Sequence, residues 1–232
     1  MSVHNRELRE QWRVKDIKWH VRDRKIDVLC HFTRLENLIG ILRNGLLPRR
    51  TLSERYMPFY AVDPERLDGC TDAVCLSVSF PNYKLFYNKR VSYFKEQQVR
   101  HFQWVVLLLD VRVLWELECE FCQQNAASTL AREIPRREKR EPEALEKMFS
   151  DFDDVNRFDL NIPRNYPTHP QAEVLAFGPI PAVYISEVHF FDNFIFSKWQ
   201  DRVRSLTAAG VFHKSDYFSA RKDYRFWSGR LT

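Results

Sequence analysis

The sequence predicts an α+β fold, a mixed or antiparallel sheet with flanking helices. Short strand-like apolar runs are interleaved with helical stretches, their order follows no regular βαβ alternation, and no segment repeats another. Hydrophobic residues make up 44% of the 232 residues, aromatics 14% and charged residues 29%, the balance of a folded chain and not of a disordered tail. A length of 232 is enough to bury a sizeable core, and one domain spanning residues 1–232 is expected.

Taken in order, residues 1–25 are dense in charge and read as an N-terminal helix or arm without the apolar core of a secretory signal. "DVLCHFT" (27–33) is a short apolar strand. The period then changes: Leu35, Leu38, Ile39, Leu42 and Leu46 recur at helical spacing, Thr33 and Glu36 stand three apart as a capping box, and Gly45 marks the stop. Residues 47–73 hold prolines, a glycine and polar residues without sustained periodicity, and read as a partly helical loop. "VCLSVSF" (74–80) alternates as a half-buried strand does, and "WVVLLLDV" (104–111) is apolar throughout, as in a central strand. Between them "NYKLFYNKRVSYFKEQQ" fits a short helix. Residues 131–165 combine a charge-dense run, an acidic patch and Pro163, and read as an exposed helix and long loop; with the approach to Pro167 they form an insertion over 131–168. Two further strands, "AEVLAFG" and "AVYISEVHFF", are separated by Pro179 and Pro181, and a C-terminal helix is expected near 197–209.

Composition excludes several classes. No stretch approaches the roughly 20 uncharged apolar residues of a membrane span, and with no secretory signal the expectation is a cytoplasmic protein without a membrane partner. Five cysteines, odd in number and irregularly spaced, fit reduced thiols better than a disulfide framework. Cys119 and Cys122 form a CxxC, but no second CxxC or nearby histidine pair completes a zinc site, so two half-buried thiols are expected and no metal. A net charge of +5, with aromatics set among basic residues in "FPNYKLFYNKRVSYFK" and "YFSARKDYRFW", suits phosphate attraction and base stacking on single strands.

Two constellations carry chemistry. Glu173 opens an otherwise apolar strand, where a lone carboxylate is costly to bury without a partner. Gln171 and Glu173 lie two apart, so on a strand both side chains project from one face. A carboxylate so placed can accept a hydrogen bond from a ribose hydroxyl and stabilise positive charge at the neighbouring anomeric carbon. Taken alone, the pair more often marks a strand-edge acid facing water. The second constellation is "HFT": His31 and Thr33 share a face at a strand end, and the helix they introduce presents free backbone N–H groups.

Together, "HFTRLENLIGILRNGLL" and "PQAEVLAFGPIPAVYISEV" resemble the DarT family, NAD-dependent ADP-ribosyltransferases that modify bases of single-stranded DNA. The shared pattern is His-x-Thr at a strand end, Asn-Leu and Ile-Leu in the next helix with a glycine after it, and a later Gln-Ala-Glu leading into a strand. The resemblance implies a split mixed sheet with NAD in its cleft. It implies that His31 and Thr33 hold the nicotinamide and its ribose, that backbone groups of Phe32 take part, and that Gly40 and Leu47 line the pocket. Glu173 is implied as the catalytic acid and Gln171 as the residue orienting the acceptor. The family's catalytic arginine matches Arg66 best, with Arg55 as the alternative. Tyr83, Lys84 and Tyr87 are the candidates for gripping nucleic acid. The segment "SVSFPNYKLFYNKR" departs from the thymidine-modifying members, which leaves the base, and DNA against messenger RNA, open. An RNA 2′-phosphotransferase, a protein ADP-ribosyltransferase and a binding module without activity are the competing readings. Family analogy implies a toxin or phage-defence effector with an antitoxin or other controlling partner.

Overall fold

The computed structural model describes residues 3–61, 65–97 and 103–228. Among the described residues, ten α-helices and seven strands follow one another: α1 (Val3–Arg24), β1 (Val28–Arg34), α2 (Leu35–Asn44), α3 (Arg49–Glu54), β2 (Ala73–Val78), α4 (Tyr83–Gln97), β3 (Trp104–Asp110), α5 (Val113–Glu116), β4 (Cys119–Cys122), α6 (Thr129–Glu133), α7 (Arg136–Lys139), α8 (Pro142–Lys147), β5 (Glu173–Phe177), β6 (Ile185–Phe190), α9 (Asn193–Arg204), β7 (Gly210–His213) and α10 (Tyr224–Trp227). The strands form one mixed sheet in the order β4-β5-β2-β1-β3-β6-β7. Five neighbouring pairs run antiparallel, and β6 and β7, joined through α9, run parallel.

The apolar runs end where the sequence places them. β3 lies between β1 and β6, and six of its seven residues are buried, as a strand covered on both faces requires. Leu35, Leu38 and Leu42 turn α2 onto one sheet face. The main core gathers that face with Ile17 and Val21 of α1, Leu145 of α8, and Ile195 and Val203 of α9. On the opposite face Cys30, Val106 and Leu108 pack against Phe86 of α4 and Phe218.

Several expectations need correction. The capping box does not form, because Thr33 is still in the β1 ladder opposite Val105. Arg34 takes the cap position without a side-chain capping bond to α2, and its guanidinium pairs with Glu36 instead. Residues 131–165 are not an exposed helix and loop: short helices fold back and bury Leu145, Met148 and Phe149 in the main core. α4 occupies the stretch where a short helix was expected and is described as far as Gln97; Gln98, which the expected helix included, lies outside the described residues. α9 starts four residues early because the Asp192 carboxylate accepts from the Ile195 N–H at 2.9 Å. Strand β4 falls in "ELECEFC", where no strand was expected. Its two cysteines are fully buried, not half-buried, and being three apart on a strand they face opposite sides, Cys119 in the main core and Cys122 with Ala126 and Leu175. Burial pushes all five thiols up, Cys119 and Cys122 to about 12.

Candidate active site

The site originates in a split of the sheet. β1 and β2 pair at Leu29↔Val78 and Cys30↔Ser77, after which β2 passes to β5, with Leu76↔Val174 and Cys75↔Leu175 in register. One step beyond Cys30 the imidazole of His31 reaches across the gap, and Nδ1 lies 3.0 Å from the Cys75 carbonyl oxygen. A carbonyl only accepts, so Nδ1 carries the hydrogen and Nε2 keeps its lone pair. Burial lowers the His31 pKa, and the Cys75 bond offsets this in part, so the ring is neutral at pH 7.

A cavity of about 340 Å³ opens in the split. Register places His31 on the sheet face of Leu29 and Val78, and Glu173, next to Val174, on the other. The gap lets side chains of both faces line one space. His31, Phe32, Thr33, Gly40, Leu47, Arg66 and Glu173 all border it, so seven of the expected site residues meet there.

Glu173 is the first residue of β5 and only 7% exposed. Its Oε2 accepts from the Ala126 N–H at 2.9 Å. The turn holding Ala126 is anchored by a second acid. Glu120 on β4 is 0% exposed and receives Arg136 Nε at 2.6 Å and Arg140 Nε at 3.2 Å, with Lys139 Nζ at 3.6 Å. These cations lie in the charge-dense run after the turn, so their pairing closes the 121–135 segment over the sheet edge.

Arg66 forms part of the wall. Its guanidinium donates twice to Asp68, at 2.9 and 2.8 Å, and to the carbonyls of Cys70 at 2.6 Å and Ala73 at 3.3 Å. Burial opposes its charge, but Cys75, Asp68 and Glu173 outweigh that and hold its pKa above the ordinary value. Arg55, the alternative, is exposed at the end of α3 and does not border the cavity.

Two glycines act differently. A methyl group at Gly40 would meet nothing within 4 Å, so the backbone of α2 stands open to the cavity. Gly45 has φ 81° and ψ −179°, a conformation closed to residues with a side chain, and a Cβ there would lie 2.2 Å from the Ile180 oxygen. This close approach allows the Leu46↔Ile180 bridge that fixes the wall carrying Leu47.

The residues expected on the acceptor side lie apart. β5 begins only at Glu173, so Gln171 sits in the preceding turn and strand alternation does not align the two. The Gln171 N–H donates to His169 Nδ1 at 3.2 Å. Burial, then the charges of Arg221 and Lys84, push His169 down to about 4. Tyr83 and Lys84 occupy the first turn of α4, beside the Arg221–Asp223 ion pair and His169, outside the cavity lining. Tyr87 is exposed on the same helix.

Other lining residues had no role assigned from the sequence, Asn37 standing there only as part of the Asn-Leu pair of the family pattern. Asn37 donates to Thr33 Oγ1 at 3.0 Å and to the Tyr60 carbonyl at 2.9 Å, while accepting from the Tyr60 N–H at 2.9 Å; it straps the 57–61 loop over the cavity. The four-residue spacing of Thr33 and Asn37 was the available signal. Asn82 caps α4 through Leu85 N–H at 3.2 Å, and its Nδ2 finds no acceptor among the described residues.

Solved structures share the fold. Thermosipho africanus DarTG in complex with ADP-ribose superposes with a TM-score of 0.56 at 15% identity, covering 83% of this chain and 51% of that one. Thermus sp. 2.9 DarT in complex with NAD+ gives 0.55 at 16% identity over 83% of this chain and 97% of that one. The same Thermus protein with ADP-ribosylated ssDNA gives 0.55 at 15%, over 84% and 97%. This chain thus spans about half of the Thermosipho chain and nearly all of the Thermus one, and at these identities the likeness is one of fold. No curated protein aligns with the sequence at a significant level. The family model described as ssDNA thymidine ADP-ribosyltransferase, DarT, matches residues 30–218, from the strand that carries His31 to beyond the sheet's last strand. The chain belongs to the DarT family of ADP-ribosyltransferases.

Proposed function

We propose that this chain, as one ADP-ribosyltransferase domain, moves ADP-ribose from NAD to a base of single-stranded DNA at the cleft between β1 and β2, and releases nicotinamide. The carrying observation is Glu173, a nearly buried carboxylate that borders the cavity with Oε2 held by the Ala126 N–H. NAD is consumed as a substrate. The residues present fit it: His31 Nε2 offers a lone pair to a ribose hydroxyl, the backbone at Phe32 and Gly40 allows close approach, and Leu47 gives an apolar wall.

In this reading Glu173 accepts from the ribose 2′-hydroxyl through its remaining lone pairs. As the glycosidic bond breaks, nicotinamide leaves with the bonding electrons, and the carboxylate stabilises positive charge growing at the anomeric carbon. A base nitrogen supplies the electron pair of the new bond, and its proton passes to Glu173. Thr33 supports the ribose side. Arg66 neutralises phosphate or the anionic base, Gln171 orients the acceptor, and Tyr83, Lys84 and Tyr87 grip the strand. Adducts on a template would poison the cell that makes the enzyme, so it acts in the cytoplasm as a toxin or defence effector under an antitoxin or other controlling partner.

The test is incubation with labelled NAD and a panel of single-stranded DNA and RNA oligonucleotides, with the adduct mapped by mass spectrometry. Label on DNA bases is expected; label confined to RNA or to protein overturns the choice of acceptor. Glu173→Gln keeps the size and an acceptor for Ala126, so it should fold normally and lose transfer by about 10²–10³-fold or more. Transfer at the wild-type rate removes Glu173 from the chemistry.

A further inference from the structure

α1 carries a feature that the cleft does not use. It lies before residue 30, outside the segment matched by the family. Its inner face buries Ile17 and Val21 in the main core, and its outward line consists of Leu8, Trp12 and Trp19. The two indoles are 60% and 59% exposed and stand about 10 Å apart along the helix axis, from 1.5 Å per residue. Lys15 Nζ lies 4.7 Å from the centroid of the Trp12 ring. A groove runs beside the tryptophans, lined by Glu10, Gln11, Val14, Lys15, Lys18 and Arg22. Glu10 is already paired with Arg13, at 2.9 and 2.6 Å, so the groove presents positive charge.

The end of α1 joins the acceptor side of the cleft. Asp23 accepts from Arg164 Nη2 at 2.5 Å, and Arg157 donates to the Arg164 carbonyl at 3.1 Å and to Thr168 Oγ1 at 3.0 Å. Thr168 is followed by His169 and Gln171. The guanidinium groups of Arg24 and Arg157 lie 5.3 and 5.6 Å from the same Phe149 ring, two cations gathered at one place. Burial, then the charges of Arg24 and Arg221, push Arg157 down to about 10, as happens where cations crowd. Next to Arg157, Phe158 is 89% exposed.

We propose that α1 and the 157–164 segment form a second binding track for the single-stranded DNA substrate, on which bases stack on Trp12, Trp19 and Phe158 while phosphates follow Lys15, Lys18, Arg22 and Arg164. Exposed aromatics interleaved with cations are the chemistry of sequence-tolerant single-strand binding, and the positive groove complements a polyanion. The track extends the acceptor side of the cleft and holds the strand for several nucleotides beyond the modified base. It rests on the reading of that cleft as the site of transfer to single-stranded DNA.

The test titrates the full chain, without NAD, against fluorescent oligothymidylates of about 20 and about four nucleotides, a span that separates one contact site from an extended track. Trp12→Ala/Trp19→Ala removes only exposed rings, and its fold is checked by circular dichroism. It should weaken the long strand about tenfold and leave the short one unchanged. Lys15→Ala/Arg22→Ala should make the salt dependence for the long strand shallower, by about 0.7 in log K per log salt for each cation removed. Unchanged long-strand affinity in both variants overturns the proposal. So does a change in molecular mass on light scattering with strand affinity intact, which assigns the face to a second copy of the chain. Transfer of label to the short strand tests the cleft separately: if wild type fails there while the variants still weaken the long strand, the cleft reading falls and the track stands.

Discussion

His169 shows how one buried ring sets a pH limit. Its Nδ1 must keep a lone pair to accept the Gln171 N–H, and it packs 4.6 Å from Phe152 and 5.0 Å from Trp227, measured between ring centroids. The unfolded chain takes up this proton near 6.5, the native one only near 4, so native stability falls as pH drops through that window. The loss reaches at most about 3 kcal/mol. Urea unfolding at pH 7 and at pH 4.5 should show it, and His169→Gln should narrow the difference; an equal difference in the variant refutes the assignment. At this scale much of the cleft was legible. His31, Thr33 and Glu173 stand out because a polar group in an apolar strand needs a reason. Gln171 did not behave as its spacing suggested, because alternation holds only inside a strand and β5 starts two residues later.

Among the elements, the turn over Glu173 depends on Glu120. Glu120→Gln removes the charge that Lys139, itself 7% exposed, is buried against, and breaking such a cluster costs about 3–5 kcal/mol. The Ala126 N–H should then lose its position, lowering kcat for transfer more than it raises KM for NAD; chemical denaturation and steady-state kinetics read the two effects. Gly45→Ala should destabilise by about 3 kcal/mol, since it strains a backbone conformation reserved for glycine and drives a methyl into Ile180, and calorimetry should show weaker NAD binding as the Leu47 wall moves. β1, β2, β3 and α2 were visible because their periods are local. β4 was hidden because its strand reads as acidic until the cations 16 and 20 residues later neutralise Glu120. The capping box was a false signal, since strand pairing claimed Thr33 first.

Over the whole molecule, the two parts of the sheet meet at a narrow seam, Leu29↔Val78 and Cys30↔Ser77, with the Ser79 N–H donating to the Val28 carbonyl at 3.0 Å. A ligand seated in the split touches both parts and should stiffen their junction. NAD at a hundred times its Kd adds about 2.7 kcal/mol, which raises Tm by about 5–10 °C for a chain of this size. Glu173→Gln is the form to melt, because it does not consume the ligand; no shift would argue against a donor site in the split. The α+β class was legible from the run order, but the order β4-β5-β2-β1-β3-β6-β7 was not, since it follows from contacts between residues distant in sequence. The five cysteines add a practical consequence. Cys30, Cys119 and Cys122 are buried and their surroundings hold the thiols protonated, so maleimides and other electrophiles meet almost no thiolate there at neutral pH, whereas Cys70 and Cys75 are only partly buried. One cysteine engineered on the outward side of α1 would therefore take a dye selectively once Cys70 and Cys75 are replaced, with Cys30, Cys119 and Cys122 left in place as they pack the core.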